Sequence, residues 1–111
     1  MTLVFLNSDR IGNGEPELGR KLLQLFLDRL VASDVKVDAV VCLHRAVLLT
    51  TEDNPALASL KALAARGALI TSCGTCLEFF GRKEMLLVGA VGGMQQTVEM
   101  FATADRVIAP C

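Results

Sequence analysis

Short apolar runs alternate with apolar stripes of three- and four-residue spacing along the whole chain. This alternation constrains the fold more than any single motif does. Thr2–Leu6 reads as a strand, and Gly12 and Gly14 punctuate the loop after it. A helix follows over Glu17–Val31, with Pro16 at its start. Its stripe is Leu18, Leu22, Leu25, Phe26 and Leu30, widened by Leu23 and Leu27, so the helix is expected to be covered on more than one side. Val37–Leu43 is nearly all apolar, as a strand buried on both faces should be. Asn54 caps a second helix with Pro55 in its first turn, an inner stripe of Leu57, Leu60, Leu63 and Ala64, and Gly67 as its stop. Further strands are predicted at Ala68–Thr71, Leu86–Val88 and Arg106–Ala109. Thr75–Phe80 is predicted as a short helix, and Met94–Thr103 as a longer one with Val98, Phe101 and Ala102 inside.

Five strands interleaved with helices make an α/β sandwich with a mainly parallel sheet, helices on both faces. At 111 residues the chain is expected to be one domain over residues 1–111. A 52% hydrophobic content excludes disorder. The net charge of −1 and the absence of Trp and Tyr speak against nucleic-acid binding, through phosphate contacts or through base stacking. The longest apolar run, Leu86–Met94, is too short and too glycine-rich to span a bilayer. Met1–Leu6 has no positive leader ahead of it and runs straight into Asn7, Ser8 and Asp9, so a cytoplasmic location is expected. In that reducing compartment the four cysteines are not expected to be structural disulfides.

In a parallel sheet the ligand site lies beyond the carboxyl ends of the strands. Four segments are expected to share that edge: Asn7-Ser8-Asp9, Cys42-Leu43-His44-Arg45, Cys73-Gly74-Thr75-Cys76 and Gly92-Gly93. The third is the strongest signal. It is a C-x-x-C at a strand-to-helix turn, and Thr75 with Glu78 reads as a capping box that starts the helix at Thr75. Cys76 then sits in the first turn, where unpaired amides favour a thiolate, and Gly74 lets the turn close tightly. Cys73 and Cys76 are therefore the candidate catalytic residues, with Asn7, Ser8, His44, Gly74 and Thr75 as substrate-binding residues around them. His44, beside Arg45, would help to hold an anionic sulfur. Cys42 reads as core and Cys111 as an exposed thiol on a mobile end. Zinc wants four ligands, and neither His44, Cys42 nor Cys111 completes a finger-like spacing, so no metal and no cofactor are expected. Gly12-Asn13-Gly14 is a turn, because the next glycine, Gly19, is wrongly spaced for a dinucleotide fingerprint.

The chain resembles the DsrE/DsrF-like superfamily of small sulfur-relay proteins, and within it the C-terminal domain of YedF-type proteins, which carry a selenium-metabolism label. The resemblance lies in Asn7–Gly14 with Glu17-Leu18-Gly19, in Ser72-Cys73-Gly74-Thr75-Cys76-Leu77-Glu78-Phe79-Phe80-Gly81, and in Ala104–Ile108. It implies a three-layer α/β/α sandwich around a five-stranded sheet, assembly as a homo-oligomer, and persulfide sulfur carried at the place of Cys73. The segment Leu43–Val47 departs from the small polar turn common there. YedF-type proteins usually carry a TusA-like domain with its own cysteine, none is expected here, and the resemblance then implies a donor in trans, such as a TusA-like carrier. Two other readings remain: a non-catalytic oligomeric binding module with inert cysteines, and a thioredoxin-like dithiol oxidoreductase. The latter ranks last because the motif follows the third strand.

Overall fold

A computed structural model describes all 111 residues. Five strands form one all-parallel sheet: β1 (Thr2–Leu6), β2 (Ala39–Cys42), β3 (Leu69–Cys73), β4 (Ala90–Gly92) and β5 (Arg106–Ile108), in the order β4-β3-β2-β1-β5. Helix α1 (Pro16–Ala32) links β1 to β2. A 3₁₀ turn over His44–Val47 runs into α2 (Leu48–Thr51), and α3 (Leu57–Ala65) leads into β3. Helix α4 (Gly74–Phe79) follows β3, and α5 (Met94–Thr103) carries the chain from one sheet edge back to the other.

The strand residues alternate between two cores. On one face Val4, Leu6, Val40, Cys42 and Ile70 pack against Leu23, Leu27 and Leu30 of α1, Leu57, Leu60 and Leu63 of α3, and Leu77 of α4. On the other face Leu3, Ala39 and Val41 pack with Phe5 against Met100 and Phe101 of α5. Phe5 and Phe101 meet edge to face at 5.1 Å. A single ten-residue helix is about 15 Å long and covers only part of this second face. Leu69, Val98 and Val107 stay exposed.

Packing corrects several expectations. A helix with seven large apolar positions has more than one stripe, and only one can meet the sheet. The buried stripe of α1 is Gly19, Leu23, Leu27 and Leu30, while Leu18, Leu22 and Leu25 face solvent. Gly19 sets that rotation. A β-carbon there would stand 2.8 Å from both Arg10 Cβ and the Ile11 carbonyl oxygen, so the helix lies against the preceding loop at this residue. Helix α3 begins at Leu57 rather than at Asn54-Pro55. Asn54 instead builds the preceding turn: its Oδ1 accepts from the Ala56 amide and its Nδ2 donates to Leu49 and Glu52 carbonyls. In α5 the buried residue is Thr97, and Val98 and Ala102 point outward. Thr97 tolerates burial because its hydroxyl donates to the Gly93 carbonyl.

The fourth strand is not Leu86–Val88 but Ala90–Gly92. The Leu87 amide is tied to the Thr50 carbonyl at 2.8 Å, away from the sheet. Gly89 then turns the chain at φ 77° and delivers Ala90, Val91 and Gly92 alongside Thr71, Ser72 and Cys73.

Candidate functional site

The carboxyl ends of the strands bring the four predicted loops to one edge. Topology marks the carboxyl ends of β3 and β4 as the place where a crevice is expected. The connection after β3 packs on the α1–α3 face, and the connection after β4 packs on the opposite face. Neighbouring strands whose connections diverge leave a gap at their carboxyl ends, and this is where ligands bind in open α/β sheets. Cys73 ends β3 at that gap, with Gly92 of β4 as its register partner.

Cys73 is also the N-cap of α4, so the helix begins at Gly74 rather than Thr75. No side chain caps it; Thr75 is exposed and makes no capping bond with Glu78. A β-carbon on Gly74 would stand 3.2 Å from Val91 Cγ1, a tight contact that a small shift of the exposed Val91 side chain would relieve. Cys76, two residues into α4, is half-buried and near enough to Cys73 for the two thiols to affect each other. Its Sγ also accepts the backbone N–H of His44 at 3.1 Å. His44 reaches it from a left-handed backbone, φ 55°, an uncommon conformation for a residue with a β-carbon.

The thiols are not uniformly activated. Burial pushes the Cys76 thiol above its ordinary value; the His44 amide pulls against that rise, and Cys73 adds to it. The expectation of a helix-start thiolate therefore fails at Cys76, because desolvation outweighs one amide donor in a six-residue helix. Cys42 is core as expected, and burial, with Cys111 nearby, pushes its thiol up to about 12. Cys111 is not on a free end. It is half-buried, packs against the main core, and places its Sγ 3.9 Å from the Ser8 carbonyl oxygen. All four cysteines are free thiols.

Alkylation at about pH 8 follows from these values. A thiol with a value of about 12 is ionised to roughly one part in ten thousand there. Cys42 should react only on unfolding, and Cys76 more slowly than an unhindered cysteine, as peptide mass mapping of iodoacetamide-treated protein would read. A folded chain alkylated at Cys42 as fast as a small thiol would contradict the structure.

Asn7, Ser8 and His44 line one polar cavity of about 490 Å³ with Arg10, Gly12, Asn13 and Arg45. Gly74 and Thr75 lie with the cysteines, and His44 belongs to both groups: it lines the cavity, and its amide donates to Cys76. The sequence reading passed over Arg10, Asn13 and the pairing of Arg45 with Asp9. Arg45 donates from Nε and Nη2 to the two Asp9 oxygens at 3.2 Å each, and Arg10 lies 3.6 Å from the same carboxylate. The available signal was opposite charge at the ends of two strands that prove to be neighbours, Asp9 after β1 and Arg45 after β2.

The DsrE/DsrF-like family pattern matches residues 30–110, which include the cysteine pair and four of the five strands. The chain belongs to the DsrE/DsrF-like family. Solved structures agree on the fold. The ychN protein from E. coli is 15% identical, with a TM-score of 0.65 over 97% of each chain. MTH1491 from Methanobacterium thermoautotrophicum, described as a protein of unknown function, is 19% identical, with a TM-score of 0.67 over 98% of this chain and 97% of that one. BT1422 from Bacteroides thetaiotaomicron, a conserved protein of unknown function, is 17% identical, with a TM-score of 0.68 over 97% and 93%. No curated protein matches the chain. This DsrE/DsrF-like chain has no helix long and apolar enough to cross a membrane.

Proposed function

We propose that this protein is a sulfur carrier of the relay type, with Cys73 as the residue that takes up sulfane sulfur. The observation that supports it is the placing of two free thiols on one strand-to-helix turn, Cys73 as the end of β3 and N-cap of α4 and Cys76 in its first turn, at the β3–β4 switch point. The Cys73 thiolate attacks the terminal sulfur of a donor persulfide. A new S–S bond forms on Cys73, the donor S–S bond breaks, and the donor leaves as a thiolate with the electron pair. An acceptor thiolate then takes that terminal sulfur by the same reaction, or Cys76 attacks the inner sulfur. In the second case a Cys73–Cys76 disulfide forms, hydrosulfide leaves, and an external thiol must reduce the disulfide. Gly74 and Thr75 flank the exchange, and Asn7, Ser8 and His44 line the polar cavity that His44 links to Cys76. The reading takes residues 1–111 as one working unit, a YedF-like variant that meets a TusA-like donor in trans in the cytoplasm and handles sulfur or selenium. Persulfide trapping by mass spectrometry on wild type and Cys73→Ala tests it.

A second reading has specific support. Cys73 is only 6% exposed, and Phe79, Met85, Leu87 and Val91 are exposed apolar residues on α4, on β4 and between them. A homo-oligomeric binding module with inert cysteines would bury such residues against another copy. It predicts a multimer by light scattering together with an unmodified Cys73 after exposure to a persulfide donor.

A further inference from the structure

We propose that the cavity at the carboxyl ends of β1 and β2 is a binding site for a small polar anion. All seven lining residues are polar or glycine: Asn7, Ser8, Arg10, Gly12, Asn13, His44 and Arg45. No apolar floor invites a hydrophobic ligand. Two guanidinium groups face one carboxylate, which leaves an excess of one positive charge at the site.

The arginines are held in place before any ligand arrives. Asp9 is nearly buried and takes both donors of the Arg45 fork, which fixes the guanidinium plane. Ser8 accepts the Arg10 amide at 3.2 Å and shapes the loop that carries Arg10. Gly19 of α1 lies directly against the Arg10 stem, so that side chain cannot swing back over the helix. The remaining guanidinium N–H groups of both residues donate to no protein acceptor. Donors preorganised on rigid strand ends, with positive charge in excess, match a phosphate, sulfate or sulfonate group.

Position gives the site its use. The His44 that lines the cavity donates its amide to Cys76 Sγ. An anion bound there would share His44 with Cys76, where the acidic part of a low-molecular-weight thiol or sulfur compound would be held. The anion site does not depend on the carrier reading, which is tested separately by sulfur loading from inorganic polysulfide.

Titration with inorganic sulfate and with phosphate, followed by amide NMR, decides the matter. Saturable shifts are expected at Asn7–Asn13, His44 and Arg45, with chloride at matched ionic strength giving none. Arg10→Gln keeps the stem against Gly19 and removes the charge, and it should weaken binding about tenfold, as the loss of a charge-assisted hydrogen bond does. Arg29→Gln removes the same charge from the last turn of α1, about 15 Å along the helix from Gly19, and should change binding less than twofold, about the scale of a distant screened charge. Shifts that do not saturate, or that respond equally to the two substitutions, would overturn the site. Polysulfide loading that persists in Arg10→Gln would leave the carrier reading standing, while its absence in wild type would refute that reading and leave the anion site untouched.

Discussion

Cys73→Ala should abolish persulfide formation on the protein, while Cys76→Ala should leave the first transfer intact and prolong the persulfide. Of the two thiols only Cys73 stands at the strand end, opposite Gly92 where the β3 and β4 connections part. Cys76 lies inside α4, its sulfur already engaged by the His44 amide and its ionisation opposed by burial. A thiol whose ionisation burial opposes is a poor first nucleophile, and it can still attack a neighbouring persulfide when held beside it. Intact-mass spectra after brief exposure to a persulfide donor should show one added sulfur in wild type and in Cys76→Ala, and none in Cys73→Ala. The reduction in loading is expected to be about a hundredfold or more, since no other thiol ends a strand at the β3–β4 switch point. Equal loading of Cys73→Ala would remove the mechanism. A Cys76→Ala persulfide that decays as fast as in wild type would remove the resolving role alone.

Gly89→Ala should cost about 3 kcal/mol of stability, combining left-handed strain with overpacking. Gly89 turns at φ 77°, and a β-carbon there would overlap the Ile70 carbonyl oxygen and stand 2.8 Å from Ile70 Cβ. Neither neighbour can yield cheaply, because Ile70 sits in the third strand and in the main core. The damage would fall on β4, which reaches the sheet only through this turn and forms one wall of the crevice. Gly93→Ala is the matching control: its φ is −111° and nothing lies within 4 Å of an added β-carbon, so a change of only about 0.5 kcal/mol is expected. Urea denaturation of the two variants measures the contrast. Equal midpoints would mean that the Gly89 turn does not constrain β4.

Much of the architecture could be read from particular residues. The apolar run at Val37–Leu43 announced a strand covered on both faces, and β2 is a fully buried central strand. The C-x-x-C after a third strand announced a strand-to-helix turn, and Cys73 and Cys76 occupy one. Where the reading failed, two local patterns competed. Leu86–Val88 has the composition of a strand, but a tether from Leu87 to Thr50 and a turn at Gly89 move the pairing to Ala90–Gly92. Thr75 and Glu78 have the spacing of a capping box, but the backbone enters α4 one residue earlier. The polar cavity was only half legible. Asn7, Ser8 and His44 followed from the strand-end rule, whereas Arg10, Asn13 and the Asp9–Arg45 pair depend on which strands become neighbours.

The amino-acid order alone determined the alternation of strands and helices, and with it a parallel α/β sheet whose chemistry-bearing loops share an edge. Periodicity is a property of the chain and needs no partner to be read. Tertiary structure alone decided which leucine stripe of α1 turns inward, that burial raises the Cys76 thiol, and that Asp9 locks Arg45. Rotation, desolvation and ion pairing each depend on the distance between residues remote in sequence, and only the folded packing sets those distances.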